Sequence, residues 1–236
     1  MSTAIDRATA WAATALRLGA GRRASAIGPR PEQPIELYEF EACPFCRKVR
    51  EAATTLDLPV LVRPCPRGGP RWRERARQLG GRSQFPFMVD PNTDTSMYES
   101  SDIVAYLFAH YGDRSAPWLA RSNLGVATGS LASSLRLHRG RFYRPAREPE
   151  LPLELWGCEG SPDCKMVREI LCELELVHLQ RNVGEGSRAT HELVERSGAD
   201  RIPWLHDPNT EASVTGSDAI AAYLERTYAE QPLPTP

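Results

Sequence analysis

Residues Ile35 to Phe40 alternate apolar and polar positions and predict a β-strand; Cys46 to Leu56 then shifts to helical spacing through Val49, Ala52, Ala53 and Leu56. Val60 to Val62 predicts a second strand, and an arginine-rich run from Arg71 to Leu79 predicts a second helix. Phe87 to Asp90 and Ser96 to Tyr98 predict a strand pair about the turn Asp90-Pro91-Asn92-Thr93. Ser101 or Asp102 stands where a cap is needed for a last helix that buries Ile103, Tyr106 and Leu107. The predicted order is therefore βαβαββα, an α/β unit.

That order is written twice. Ile35-Glu36-Leu37 and Cys43-Pro44-Phe45-Cys46-Arg47-Lys48-Val49-Arg50 return as Leu153-Glu154-Leu155 and Ser161-Pro162-Asp163-Cys164-Lys165-Met166-Val167-Arg168, 118 residues further on. Phe85-Pro86 returns as Ile202-Pro203, and Ser100-Ser101-Asp102 aligns with Ser217-Asp218. An internal period of this size sets the architecture before any single residue does. Two domains are expected, residues 1–118 and 119–236, and they account for the chain. The Ala- and Leu-rich segment 3–20 looks superficially like a targeting signal, but Asp6 and Arg17 interrupt it and it echoes in mid-chain at 130–137. Each copy is expected to be a short helix that opens a repeat and packs on it. With no targeting or membrane-spanning segment read, the expected compartment is the cytoplasm.

Charge changes this picture little. The total of 29 Lys and Arg against 30 Asp and Glu argues against a nucleic-acid partner. Residues 1–118 carry 16 basic and 13 acidic side chains and residues 119–236 carry 13 and 17, an asymmetry that favours docking of the halves only weakly. Six cysteines in a chain with this apolar content point to redox or metal chemistry rather than to a disulfide scaffold.

Cys43-Pro44-Phe45-Cys46 lies between a predicted strand and a predicted helix. A thiol at the start of a helix meets unpaired N–H groups and the positive end of the dipole, and Arg47 and Lys48 are expected to add charge nearby. Cys43 is expected to be the nucleophile, with Cys46 one turn further in as the resolving thiol. The competing readings are an inert buried pair and a metal or bridged iron–sulfur site. No second Cys/His pair at suitable spacing supports a protein-only metal centre. Pro64-Cys65-Pro66 offers either a third thiol near the site or a loop filler.

Taken together, Cys43-Pro44-Phe45-Cys46, Phe85-Pro86 and Glu99-Ser100 resemble the glutaredoxin-like N-terminal domain of glutathione transferases, and the tandem resembles proteins built from two such domains in series. The resemblance implies two thioredoxin-like domains with no all-helical transferase C-terminal domain. It implies glutathione as cofactor, a cis Pro86, and binding by Phe45, Phe85, Pro86, Glu99 and Ser100. Phe85 would pair through its backbone, while Ser100 and Glu99 would take the γ-glutamyl carboxylate and ammonium; plain helix capping is the alternative for that pair. One of Arg67, Arg71, Arg73, Arg75, Arg77 and Arg82 would take the glycyl carboxylate.

In the second half serine replaces the nucleophile, Asp163 replaces Phe45 and Gly216 stands for Glu99. Ser161, Cys164, Ile202, Pro203 and Ser217 are the equivalent positions of either a degenerate scaffold or a second ligand site; Cys158 is a possible substitute thiol and Cys172 a core residue. The expected function is a glutathione-dependent thiol–disulfide oxidoreductase acting on disulfides or glutathionylated thiols. The alternatives are a non-catalytic module that binds glutathione or a partner, and an atypical glutathione transferase or isomerase. Neither substrate nor oligomeric state follows from the residues.

Overall fold

A computed structural model describes residues 4–15, 20–121 and 139–230. After helix α1 (Ala4–Ala15), the first repeat runs β1 (Ile35–Glu39), α2 (Pro44–Thr55), β2 (Val60–Pro64), α3 (Trp72–Gly80), β3 (Phe87–Asp90), β4 (Thr95–Met97) and α4 (Ser100–Tyr111), with α5 (Trp118–Arg121) following. The second runs β5 (Leu153–Gly157), α6 (Pro162–Glu173), β6 (His178–Asn182), α7 (Thr190–Ser197), β7 (Trp204–Asp207), β8 (Ala212–Thr215) and α8 (Ser217–Tyr228). The two βαβαββα units match the order read from the sequence.

In each unit alternation along the strands separates two clusters. Ile35 and Leu37 face Val49, Ala53, Ile103 and Leu107 beneath α2 and α4. Tyr38 points the other way, with Cys65, Phe87 and Ala76 of α3. Burying such side chains, at roughly 1.5–3 kcal/mol for each large apolar residue, is the main force holding helices to sheet. The last helix differs from expectation at its start. Its N-cap is Glu99, two residues before Ser101 and three before Asp102, and Tyr106 is half-buried with its hydroxyl on Asp90 at 2.7 Å.

The units join edge to edge into one eight-stranded sheet, ordered β4-β3-β1-β2-β6-β5-β7-β8. β2 and β6 pair antiparallel with Leu61 opposite Leu179, its own counterpart, and with Val60 and Val62 opposite Gln180 and His178. A pseudo-two-fold axis therefore passes through the Leu61–Leu179 pair. Beside this seam α2 and α6 bury a charged cluster. Arg50 reaches Glu159 at 2.9 Å and Glu41 at 3.1 Å, while Arg168 reaches Glu41 at 3.1 Å and Glu159 at 2.8 Å. Arg50 also pairs with Glu39, and Lys165 with Glu41. Charges this deep persist only when paired and hydrogen-bonded.

The segments leading into each unit cross to the other one. Ala24 N donates to Glu185 O and Glu185 N to Arg22 O; in the reciprocal arm Arg67 N donates to Arg141 O and Tyr143 N to Arg67 O. Gly21 and Gly140, both with positive φ, lie so close to Glu159 and Glu41 that a Cβ would fall 2.8 and 2.7 Å from those side chains. Helix α1 continues the crossing and packs on α6, with Ala10 buried and Arg7 paired to Asp218. The expectation that the opening helix packs on its own repeat is thus corrected. The arm leading from it is captured by hydrogen bonds and ion pairs on the second unit. The echo at 130–137 lies outside the described residues.

Candidate functional site

β1 and β3 run antiparallel with Tyr38 opposite Phe87, so the residues after β1 and those before β3 meet at one end of the sheet. The Phe40 and Phe85 rings stand edge-to-face there, 6.2 Å apart. Cys43 N donates to Phe40 O at 3.0 Å, and Cys43 becomes the N-cap of α2. Pro44 fills the first helical position, where no N–H is required. Cys46 N donates to Cys43 Sγ at 3.3 Å. This hydrogen bonding from Cys46 outweighs burial and the nearby Glu39 carboxylate, and holds the Cys43 thiol below its ordinary pKa. Burial, then the bond to Cys43, pushes Cys46 well up. The pair is polarised: the Cys43 thiol is pushed toward ionisation and the Cys46 thiol away from it. Cys43 is 4% exposed and Cys46 fully buried.

Arg47 and Lys48 do not serve Cys43. Arg47 is drawn into the buried cluster, 3.2 Å from Glu51 and 3.3 Å from Glu159, and Lys48 Nζ donates to Ser101 Oγ at 2.8 Å. The charged group that acts on the thiol is instead Glu39, which opposes its ionisation and whose own carboxyl burial raises to about 7.

The Phe85–Pro86 bond is cis, and among the described residues the Phe85 N–H and C=O have no main-chain partner. Of the six arginines in the basic stretch, the structure singles out Arg73. Its guanidinium lies over Phe85 at 4.8 Å and Phe40 at 5.9 Å, and Nε donates to Pro66 O at 2.7 Å. Phe40 was not among the residues expected at the site; its place at the end of an alternating strand is the signal that marked it. Ser100 is buried at the N-terminus of α4, and Glu99 before it has φ 66°, a left-handed conformation that disfavours a side chain. Gly216 takes the same conformation, φ 91°, at the equivalent position. The first repeat thus keeps a carboxylate where backbone geometry prefers glycine; that carboxylate accepts from Gln84 at 2.7 Å and is exposed. Phe45 is exposed as well. Cys65 belongs to the cluster around Tyr38, fully buried, with burial pushing its thiol well up, so it is a filler there rather than a third reactive thiol.

The second repeat copies the frame and changes the contents. Ser161 caps α6 and accepts from Cys164 N at 3.3 Å; Ile202–Pro203 is cis; Cys164 is fully buried. Ser217 Oγ donates to Asp163 Oδ1 at 3.1 Å, so a carboxylate of the chain itself sits against the serine at the start of α8. Cys158 and Ile202 replace the Phe40–Phe85 pair, and an open cleft of about 680 Å3 lies beside them and Ser161. Burial pushes the Cys158 thiol up to about 12, which leaves it protonated and a poor substitute nucleophile. Cys172 is buried, as expected of a core position. All six cysteines are free, and among the described residues no group of three or more His, Cys, Asp or Glu is placed to hold a metal ion. No described helix is long and apolar enough to cross a membrane.

Comparison with protein families matches the glutathione S-transferase N-terminal domain to residues 37–115 and again to residues 155–232. Among solved structures, a glutathione transferase of Bombyx mori, BmGSTD1, aligns at 28% identity over 36% of this chain and 39% of its own length, with a TM-score of 0.31. The chain therefore spans well under half of that relative. Comparison with the curated proteins finds no match.

Proposed function

Because the chain belongs to the glutathione S-transferase N-terminal domain family, in two tandem copies, we propose that its first repeat is a glutathione-linked thiol–disulfide oxidoreductase and that the division between copies falls after residue 118. The observation that carries this reading is the polarised pair, Cys43 capping α2 with its thiol held down and Cys46 buried behind it. Glutathione fits the surrounding groups: an unpaired main-chain segment at Phe85, the Ser100 hydroxyl and helix N-terminus, the Glu99 carboxylate, and the Arg73 guanidinium as the cation for a far carboxylate.

Cys43 Sγ attacks one sulfur of a disulfide or glutathionylated thiol; the old S–S bond breaks, and the departing sulfur leaves as thiolate and takes a proton from water. Cys43 is regenerated when a thiolate, from free glutathione, displaces it from the new disulfide. Burial and protonation of Cys46 favour free glutathione over Cys46 for this second step. The reading places the protein where glutathione is plentiful and reduced, in the cytoplasm. The small exposure of Cys43 favours a second reading, a module that holds glutathione or a partner without turnover.

Turnover of a small mixed disulfide of glutathione, with glutathione and its reductase, separates them. Activity in the wild type that falls to background in Cys43→Ser supports the oxidoreductase. Wild-type protein that binds glutathione yet turns nothing over transfers the assignment to the binding module. Conjugation of an electrophile that survives Cys46→Ala would instead favour the transferase reading.

A further inference from the structure

The cleft beside Ser161 is composite. One wall belongs to the second repeat, through Ser161, Pro162, Val183 and Ile202; the other comes from the first repeat's crossing arm, through Trp11 and Arg22. Two carboxylates also line it, Asp163, which accepts from Ser217, and Glu185, which is paired with Arg23. Its volume of about 680 Å3 lies within the range of small-molecule sites. Trp11 is 57% exposed there, a large aromatic side chain left open on a helix that otherwise packs on α6.

Arg22 is positioned with care. Its carbonyl accepts from Glu185 N at 2.8 Å. Its side-chain stem lies in the hollow left by Gly160, where a Cβ would fall 2.2 Å from Arg22 Cγ. Ala42 occupies the position equivalent to Gly160 in the first repeat, and the arm crossing there stacks Arg141 on Phe142, 5.5 Å from the ring centre. The neighbouring Arg23 is spent on Glu185 at 2.7 Å, whereas the Arg22 guanidinium has no side-chain hydrogen bond or ion pair among the described residues. A fixed stem carrying a solvent-facing guanidinium with no partner among the described residues is suited to an acid group.

Glutathione is a poor fit for this cleft. Asp163 already lies against Ser217, and the acidic residue for an ammonium is replaced by Gly216. We propose that the cleft binds a small aromatic acid, a carboxylate or sulfonate on a ring system, with Arg22 on the acid group and Trp11, Val183 and Ile202 against the rings. The site is independent of Cys43 and of the thiol chemistry assigned to the first repeat.

The test uses the whole chain and 8-anilinonaphthalene-1-sulfonate as probe, followed by its fluorescence and by displacement with benzoate and glutathione. Saturable one-site binding is expected in wild type and unchanged in Cys43→Ser. Arg22→Ala is expected to weaken it about tenfold or more, the scale of one charge-assisted interaction. Gly160→Ala keeps the charge but displaces the stem and is expected to weaken binding less; Trp11→Ala removes the aromatic wall and is expected to weaken it as well. Circular dichroism verifies that each variant is folded. Benzoate competes and glutathione does not. The proposal is overturned if the wild type does not bind, if Arg22→Ala and Trp11→Ala both bind like the wild type, or if glutathione displaces the probe or Cys43→Ser abolishes its binding, which would place it in the first repeat.

Discussion

The two N-caps, Cys43 and Ser161, occupy the same place in the same turn and accept the same hydrogen bond, from Cys46 N and Cys164 N, at the same 3.3 Å. What differs is the company. Around Cys43 stand two phenylalanines and an arginine laid over them; around Ser161 stand Cys158, Ile202 and a carboxylate that has turned inward to Ser217. The backbone of a thioredoxin-like unit supplies the cap and the cis bond regardless of the chemistry, so the frame alone does not make a redox site. The first cap differs in its sulfur and in the aromatic rings and guanidinium around it, while Glu39 opposes ionisation of its thiol.

The largest effect is expected from trying to convert one site into the other. Ser161→Cys alone should remain inactive on a glutathione mixed disulfide, because Asp163 lies beside the new thiol and opposes its ionisation. Ser161→Cys with Asp163→Phe should bring measurable turnover in a Cys43→Ser background; equal inactivity of both would mean that more than the cap and its neighbour separates the sites. Next in size is the seam. Glu159→Gln leaves Arg47, Arg50 and Arg168 without their shared partner, and should lower the unfolding free energy by about 3–5 kcal/mol in urea titration.

A smaller effect separates the seam from the sites by pH. Burial pushes the imidazole of His178, beside the two-fold axis, down to about 4. Between that value and roughly 6.5 the unfolded chain binds the proton and the folded one does not, so His178 removes stability as pH falls through this window. Glu39, raised to about 7, works the other way: its folded form holds a proton that the unfolded chain gives up, so it removes stability as pH rises from the ordinary carboxylate range toward 7. His178→Leu should therefore raise the thermal midpoint relative to wild type near pH 5 and change it little near pH 8. An equal change at both pH values would show that packing, not protonation, governs this position.

The smallest effect tests the paired caps of α4 and α8. Glu99→Gly relieves a left-handed side chain and should stabilise by up to about 1 kcal/mol, while raising the KM for glutathione. Gly216→Glu should cost a similar amount with no gain in glutathione binding. Thermal melts and steady-state kinetics of the two variants check the pair.

Much of this was legible in the residues because it is local or periodic. Strand alternation at Ile35–Phe40, helical spacing after Cys46 and the recurrence of both after 118 residues specify each unit. Cys43 as a cap needed only its neighbours. The rest depended on groups distant in the chain. No local pattern says that α1 will lie on α6, since an Ala-rich helix packs equally well on any apolar face. Arg47 and Lys48 looked like partners of Cys43 because they follow it. Glu159, 112 positions away from Arg47, and Ser101 claimed them instead. The choice of Arg73 among six arginines likewise depended on where Phe40 and Phe85 meet. Gly216 opposite Glu99 was visible as a difference, but its meaning, a shared left-handed backbone, required the fold.

The axis through Leu61 and Leu179 has a consequence for what this protein is free to become. Two identical chains joined by such a seam would carry every substitution twice, and a mutation that emptied one site would empty both. Joined in one polypeptide, the partners are always present in equal number, never dissociate on dilution, and are inherited as separate texts. One half can lose its nucleophile while the other keeps it, and each can lend its arm to its neighbour's site. The chain is, in effect, an obligate heterodimer whose subunits cannot be mispaired.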